Sequence, residues 1–304
     1  MAYVNPFDLL DAPFQPPLDA SRLKRERKRL MAEFDLSQEV EISIGGHHLD
    51  RASVIRLFDE LENHQTQDFH YQVHQDAALS GFLGEATLDL FYDGGVGQLA
   101  NREEEFLRWI APFFAESFNK RLVNAVKQSD LEETRVLCQA PLPIPAAYQA
   151  ACFQDSYRYL HEQIKEVDAL TKSIDKGGAP TGKVQEVCDE MLIDLLNLLP
   201  TYFDGVRDRY GLALEALALS VQNQHQRVQL SILIVKQGLK LRISDDTRSR
   251  LQYILDQLMK LAPMEGIIET LTSDSPDSKN RRKQLIWWAV GIGTAIVLLA
   301  GWLL

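Results

Sequence analysis

Apolar residues recur every three or four positions over most of this chain, the spacing of helices with one buried face, and a single short run alternates with period two. Asn5-Pro-Phe-Asp-Leu-Leu predicts a capped turn into a short apolar helix, halted by Pro13 and by Pro16-Pro17. Asp19 or Ser21 can then cap a basic helix. Its apolar positions Leu23, Leu30, Met31 and Phe34 leave Arg22, Lys24, Arg25, Arg27, Lys28 and Arg29 mostly outside. Val40, Ile42 and Ile44 alternate with Glu39, Glu41 and Ser43 up to Gly45-Gly46, a short extended segment. Helical spacing returns at Leu49, Ala52, Ile55, Leu57, Phe58 and Leu61. Between Phe69 and Phe91 the pattern fits one helix or two short ones, loosened by Gly81 and Gly84, and Asp93-Gly-Gly-Val-Gly breaks it. Residues 102–127 carry Phe106, Trp109, Phe113, Phe114 and Phe118, the aromatic-rich part of the body and its expected core, with Pro112 kinking or dividing the helix.

Pro141-Leu-Pro-Ile-Pro145 cannot be helical throughout and sets the expected boundary between two helical units, residues 1–140 and 146–272. Beyond it Phe153, Tyr157, Leu160, Ile164, Val167, Leu170 and Ile174 follow close to a heptad seam. They predict one long helix whose stripe packs on its own neighbours, with an intermolecular coiled coil as the alternative. Residues 184–199 form the next helix; residues 202–241 are mostly helical with a break at Gly211; residues 247–261 form another, stopped by Pro263. The fold class expected is all-α.

Residues 273–284 form a polar and then basic linker, and the pattern changes completely in residues 285–304, twenty residues without a charge. At 1.5 Å per residue they span about 30 Å, the thickness of a bilayer core. Lys279, Arg281, Arg282 and Lys283 precede them, and Trp287, Trp288 and Trp302 sit near the two ends, as charges and indoles flank a membrane helix. The expectation is a single-pass protein, anchored in membrane lipid at its C-terminus with a cytoplasmic body. Ala289, Gly291, Gly293 and Ala295 form overlapping small-residue pairs that would let two such helices approach, which makes a homo-oligomer an expected option.

Charge narrows the partners. The 304 residues carry a net −11, and because residues 279–304 hold four basic and no acidic groups, residues 1–278 carry −15. Such a body is repelled by nucleic acid, so no nucleic-acid partner is expected. Cys138, Cys152 and Cys188 are odd in number and widely spaced, against a disulfide framework or a cysteine zinc site.

Taken together, Asn5-Pro-Phe-Asp-Leu-Leu, the proline-bearing spacer, the basic helix through Phe34 and the helix of residues 49–62 resemble the three helices of a J-domain, the module by which co-chaperones engage DnaK-type chaperones. The likeness covers residues 1–63, with residues 64–140 continuing that unit. It implies a chaperone or its clients as partner, docked on the basic face at Lys24, Arg25 and Lys28. The family's His-Pro-Asp loop should follow the aromatic end of the second helix, but Phe34 is followed by Asp35-Leu36-Ser37. A J-like unit without that loop is not expected to trigger ATP hydrolysis.

Other motifs point away from chemistry. Gly177-Gly-Ala-Pro-Thr-Gly-Lys183 has the spacing of a phosphate-binding loop but follows a heptad-patterned helix and is succeeded by Val184 instead of Ser or Thr. His70 and His74 share one helical face, with His64 nearby, yet Tyr71 stands where a zinc enzyme of that geometry places glutamate; the histidines are expected to be exposed polar positions. Neither cofactor nor metal is expected. With no Gly-x-Ser-x-Gly and no cysteine–histidine signature, the reading is a non-enzymatic, tail-anchored adaptor that recruits a protein partner. The alternatives are a membrane-perturbing effector oligomerising through its tail, and a hydrolase whose site is built from scattered residues.

Overall fold

A computed structural model describes residues 3–10, 15–37, 40–44, 46–179 and 182–273. The anchor, its basic flank and its small-residue pairs, from Lys279 to Trp302, lie outside the described residues. Among the described residues no helix is long and apolar enough to cross a membrane.

The chain is mainly helical and divides into two compact units, one up to Tyr159 and one from Leu160. The first opens on a 3-10 turn, Pro6–Leu9, which Asn5 caps by accepting from the Phe7 amide. There follow α1 (Ala20–Ser37), a hairpin of β1 (Glu41–Ile44) and β2 (His47–Asp50), and α2 (Arg51–Glu62). Phe7 and Leu9 of the turn, Leu23, Leu30 and Phe34 of α1, and Val54, Phe58 and Leu61 of α2 share one apolar core. The apolar run of residues 40–44 does become a strand, but it pairs antiparallel with a partner the pattern did not reveal, Ile42 opposite Leu49 and Ile44 opposite His47. Residue 49 therefore belongs to a strand, and α2 begins at Arg51, where the Asp50 side chain accepts from the Ser53 amide.

Next come α3 (His64–Gln75), α4 (Ala77–Glu85), α5 (Gly95–Ala100), α6 (Glu104–Gln128), α7 (Leu131–Cys138) and the start of α8 (Ala146–Asp175). The break between α3 and α4 falls at Asp76, whose carboxylate caps α4 through the Leu79 amide and pairs with Arg102 at 2.7 Å. Gly81 and Gly84 lie inside α4. Pro112 neither ends nor divides α6, which runs through it for 25 residues. The aromatic core forms as the pattern implied: Phe82 packs on Phe91 and Phe114 at ring distances of 5.1 and 5.0 Å, and Phe118 meets Phe153 edge-on at 5.8 Å. The proline segment of residues 141–145 separates α7 from α8, but the two compact units divide later, within α8 between Tyr159 and Leu160.

The second unit contains the rest of α8, then α9 (Lys183–Val187), α10 (Glu190–Leu198), a 3-10 turn Thr201–Phe203, α11 (Asp204–His225), α12 (Val228–Lys240) and α13 (Asp245–Ser273). On α8, Leu160, Ile164, Val167 and Ile174 are buried along one stripe. Asp189 interrupts what the pattern reads as a single helix and caps α10. Gly211 does not break α11; a Cβ there would lie 3.4 Å from Thr247, so it permits close approach of α13. The actual break is at Gln226, left-handed at φ 53°, and α13 continues past Pro263.

Arg207, 3% exposed, organises this unit. Its guanidinium donates to the carbonyls of Leu196 (3.0 Å), Leu199 (2.9 Å) and Arg242 (3.0 Å) and to the Asp204 carboxylate. One side chain thus satisfies the open carbonyl end of α10 and fixes the segment leaving α12.

Candidate partner-binding groove

Along α1 the buried positions Leu23, Leu30 and Phe34 face α2, so Lys24, Arg25 and Lys28 are turned outward on successive turns. Most neighbouring cations are neutralised locally. Arg27 lies 2.9 Å from Asp59 and 3.6 Å from Glu62 on α2, and Arg29 lies 3.0 Å from Glu26. Among the described residues Lys24, Arg25 and Lys28 form no ion pair. Lys24 and Lys28, one turn apart, line a groove of about 820 Å3; Arg25 stands on the adjoining exposed face and does not line it.

The groove runs between α1 and the junction of α2 with α3. Its floor is apolar, made by Leu18, Leu23, Met31 and Leu61, and its far wall holds Glu62, His64 and Gln67. Gln67 is buried and ties the wall to the segment before α1: it accepts from the Leu18 amide at 2.9 Å and donates to the Leu61 carbonyl at 2.8 Å. At one end Asp35 is held by Arg51 at 2.9 Å. A second, smaller groove of about 400 Å3 lies between Tyr71 and Arg102, but its cation already pairs with Asp76.

The histidines separate sharply. His64 and His74 are exposed as expected, whereas His70 is 1% exposed, which corrects the reading of it as a surface position. Tyr3 Oη lies 2.8 Å from His70 Nδ1, the Asn5 amide nitrogen donates to the His70 carbonyl at 3.1 Å, and His70 Nε2 lies 3.1 Å from Glu60. The Trp109 ring meets the imidazole edge-on at 4.8 Å. A carboxylate only accepts, so Nε2 carries the proton and Nδ1 receives the Tyr3 hydroxyl. Burial first, then the charges of Asp8 and Glu60, raise the Tyr3 pKa and keep that hydroxyl a donor. The cluster lines neither groove, and its geometry is that of a clamp holding the N-terminal segment on α3.

Among the described residues no group of histidine, cysteine and acidic side chains has the geometry of a metal site. The phosphate-loop-like stretch follows helix α8 directly, Gly177 turning with φ +87° and Gly178 accepting from or donating through its carbonyl contact with His225 Nε2 at 2.8 Å; Pro180 and Thr181 lie outside the described residues.

The chain matches no protein-family model, no curated protein and no solved structure. Functional inference therefore rests on the chain's own residues. The sequence pointed to Lys24 and Lys28 but not to Met31, Leu61, His64 or Gln67 beside them. Those belong to segments far apart in the chain, and only their packing makes a wall.

The three cysteines are free, with Cys152 and Cys188 buried and Cys138 partly so. Burial pushes each thiol from 9.0 up to about 12. A nucleophilic thiolate is thereby suppressed near neutrality. Alkylation of the native chain by iodoacetamide is expected to stay slow between pH 7 and about 9, while the unfolded chain reacts readily. Because the fold retains thiol protons that the unfolded chain releases above the ordinary value, stability falls as pH rises from 9 towards 12. Rapid native labelling of any of the three in that window would contradict this.

Proposed function

We propose that this protein is a non-enzymatic adaptor, held at a membrane by residues 285–304, whose N-terminal J-like unit recruits a protein partner to the cytoplasmic surface. The observation that carries the reading is the set of exposed, unpaired cations Lys24, Arg25 and Lys28 beside an apolar floor, in a chain whose other charges are predominantly acidic. The J-like likeness gains support from the shared core of the opening turn, α1 and α2, since a co-chaperone module of this kind packs its basic helix against the next one. It differs at the end of α1, where Asp35, Leu36 and Ser37 stand in place of His-Pro-Asp and a β-hairpin follows.

The test is co-purification from native membranes with quantitative mass spectrometry. Reversing Lys24, Arg25 and Lys28 to glutamate in the full chain is expected to remove the proteins that wild type retains, and an unchanged set of retained proteins sinks the adaptor reading. If the partner is a DnaK-type chaperone, the chain binds it without accelerating its ATP hydrolysis, because the triggering loop is missing. Measurable acceleration overturns that statement.

A further inference from the structure

We infer that the groove between α1 and the α2–α3 junction seats an acidic amphipathic helix of the partner protein, its apolar side on Leu23, Met31 and Leu61 and its carboxylates on Lys24 and Lys28. This rests on the adaptor reading for the partner being a protein, and goes further in naming the chemistry and shape of the segment it offers.

Three features select that occupant. Charge is the first: Arg27 is already matched by Asp59 and Glu62, whereas the two lysines on the rim have no counter-ion among the described residues, so the groove attracts carboxylates from outside. Spacing is the second. Lys24 and Lys28 are four residues apart on one helix, so their side chains emerge about 6 Å from each other, the separation of two carboxylates one turn apart on a facing helix. Size and floor are the third. A helical turn about 10 Å across and 5.4 Å long occupies roughly 400 Å3, so a groove of about 820 Å3 has room for two turns. Met31, half-buried on the floor, is the flexible thioether that lets such a floor adapt to an incoming apolar stripe. A purely electrostatic partner would leave Leu23, Met31 and Leu61 in water; a purely apolar one would leave the lysines uncompensated.

The test uses the full chain in nanodiscs of zwitterionic lipid, with empty discs as blank. The probe is a fluorescent synthetic helical peptide bearing a leucine stripe and two glutamates four residues apart, followed by anisotropy. Wild type is expected to bind this peptide and to reject its counterpart with lysines in place of the glutamates. The double variant Lys24→Glu, Lys28→Glu is expected to lose about tenfold or more in affinity for the acidic peptide and to gain for the basic one. That gain also shows the variant to be folded. Met31→Glu, which leaves both lysines in place, is expected to weaken the acidic peptide as well. Equal binding of the two peptides by wild type, or an unaffected Met31→Glu, overturns the inference. Loss of native partners on charge reversal without peptide binding overturns the groove's occupant alone. Peptide binding with native partners retained after charge reversal overturns the adaptor reading alone.

Discussion

Replacing Arg207 by methionine is expected to destabilise the second unit by about 3–5 kcal/mol, the scale seen when one side of a buried charged network is removed. The cause is specific. Methionine refills the volume, but the carbonyls of Leu196, Leu199 and Arg242 lose their donor in a site closed to water. Each buried, unpaired acceptor costs roughly 1–3 kcal/mol. Arg207→Lys is expected to fall between, since an ammonium reaches some of these oxygens but lacks the planar fork that spans them. Arg209→Ala, two residues on and exposed, serves as control with an effect within about 0.5 kcal/mol. Urea unfolding monitored by hydrogen exchange in α10 and α11 measures all three. A loss below about 1 kcal/mol for Arg207→Met would mean that the guanidinium is dispensable.

The second large effect is expected at the N-terminal clamp. His70→Phe keeps a ring beside Trp109 but strands the Tyr3 hydroxyl, which burial prevents from ionising, and removes the contact to Glu60. A loss of about 1–3 kcal/mol follows. Tyr3→Phe alone leaves Nδ1 without its donor and also destabilises. In the double variant neither orphan exists, so the two losses are expected to fall short of additivity by about 1–2 kcal/mol. Strict additivity in a double-mutant cycle would show that the 2.8 Å contact contributes nothing. The same clamp implies that residues 1–63 cut out on their own lose the support of His70, Trp109 and Phe113 for Tyr3, and with it the anchoring of their first turn.

How much of this was legible in the sequence depends on the kind of interaction. Helices with one strong apolar stripe, α1, α6 and α8, were visible because burial imposes a period that residue types display directly. The hairpin was half visible: β1 alternates, but β2 contributes only Leu49 as a buried apolar residue and owes its conformation to the partner strand. Helix breaks were misplaced because glycine and proline attracted attention. Asp76 and Asp189 stop and restart helices through side-chain caps, and an aspartate in helical phase looks like any exposed position. Gly211 was mistaken for a break because the value of a missing Cβ is known only once Thr247 and Leu251 are seen against it.

The candidate groove shows the same division. Its cations stood out on a helical wheel, but whether a lysine is free depends on which arginines Asp59 and Glu62 have already taken. Arg207 left no trace in the pattern, since its partners are main-chain oxygens that every residue possesses. His70 was hidden for a related reason: its acceptor and donor lie at Tyr3 and Glu60, and no local rule connects them.

The clamp also bears on how the molecule is made. Tyr3 emerges from the ribosome almost at once, yet the rings that enclose it belong to residues 109 and 113. Synthesis runs from the N-terminus at some 5–20 residues per second, so for several seconds the opening segment has nothing to settle on. What is translated first is therefore among the last pieces of its unit to be secured, and a bulky fusion ahead of Tyr3 would interfere at that closing step.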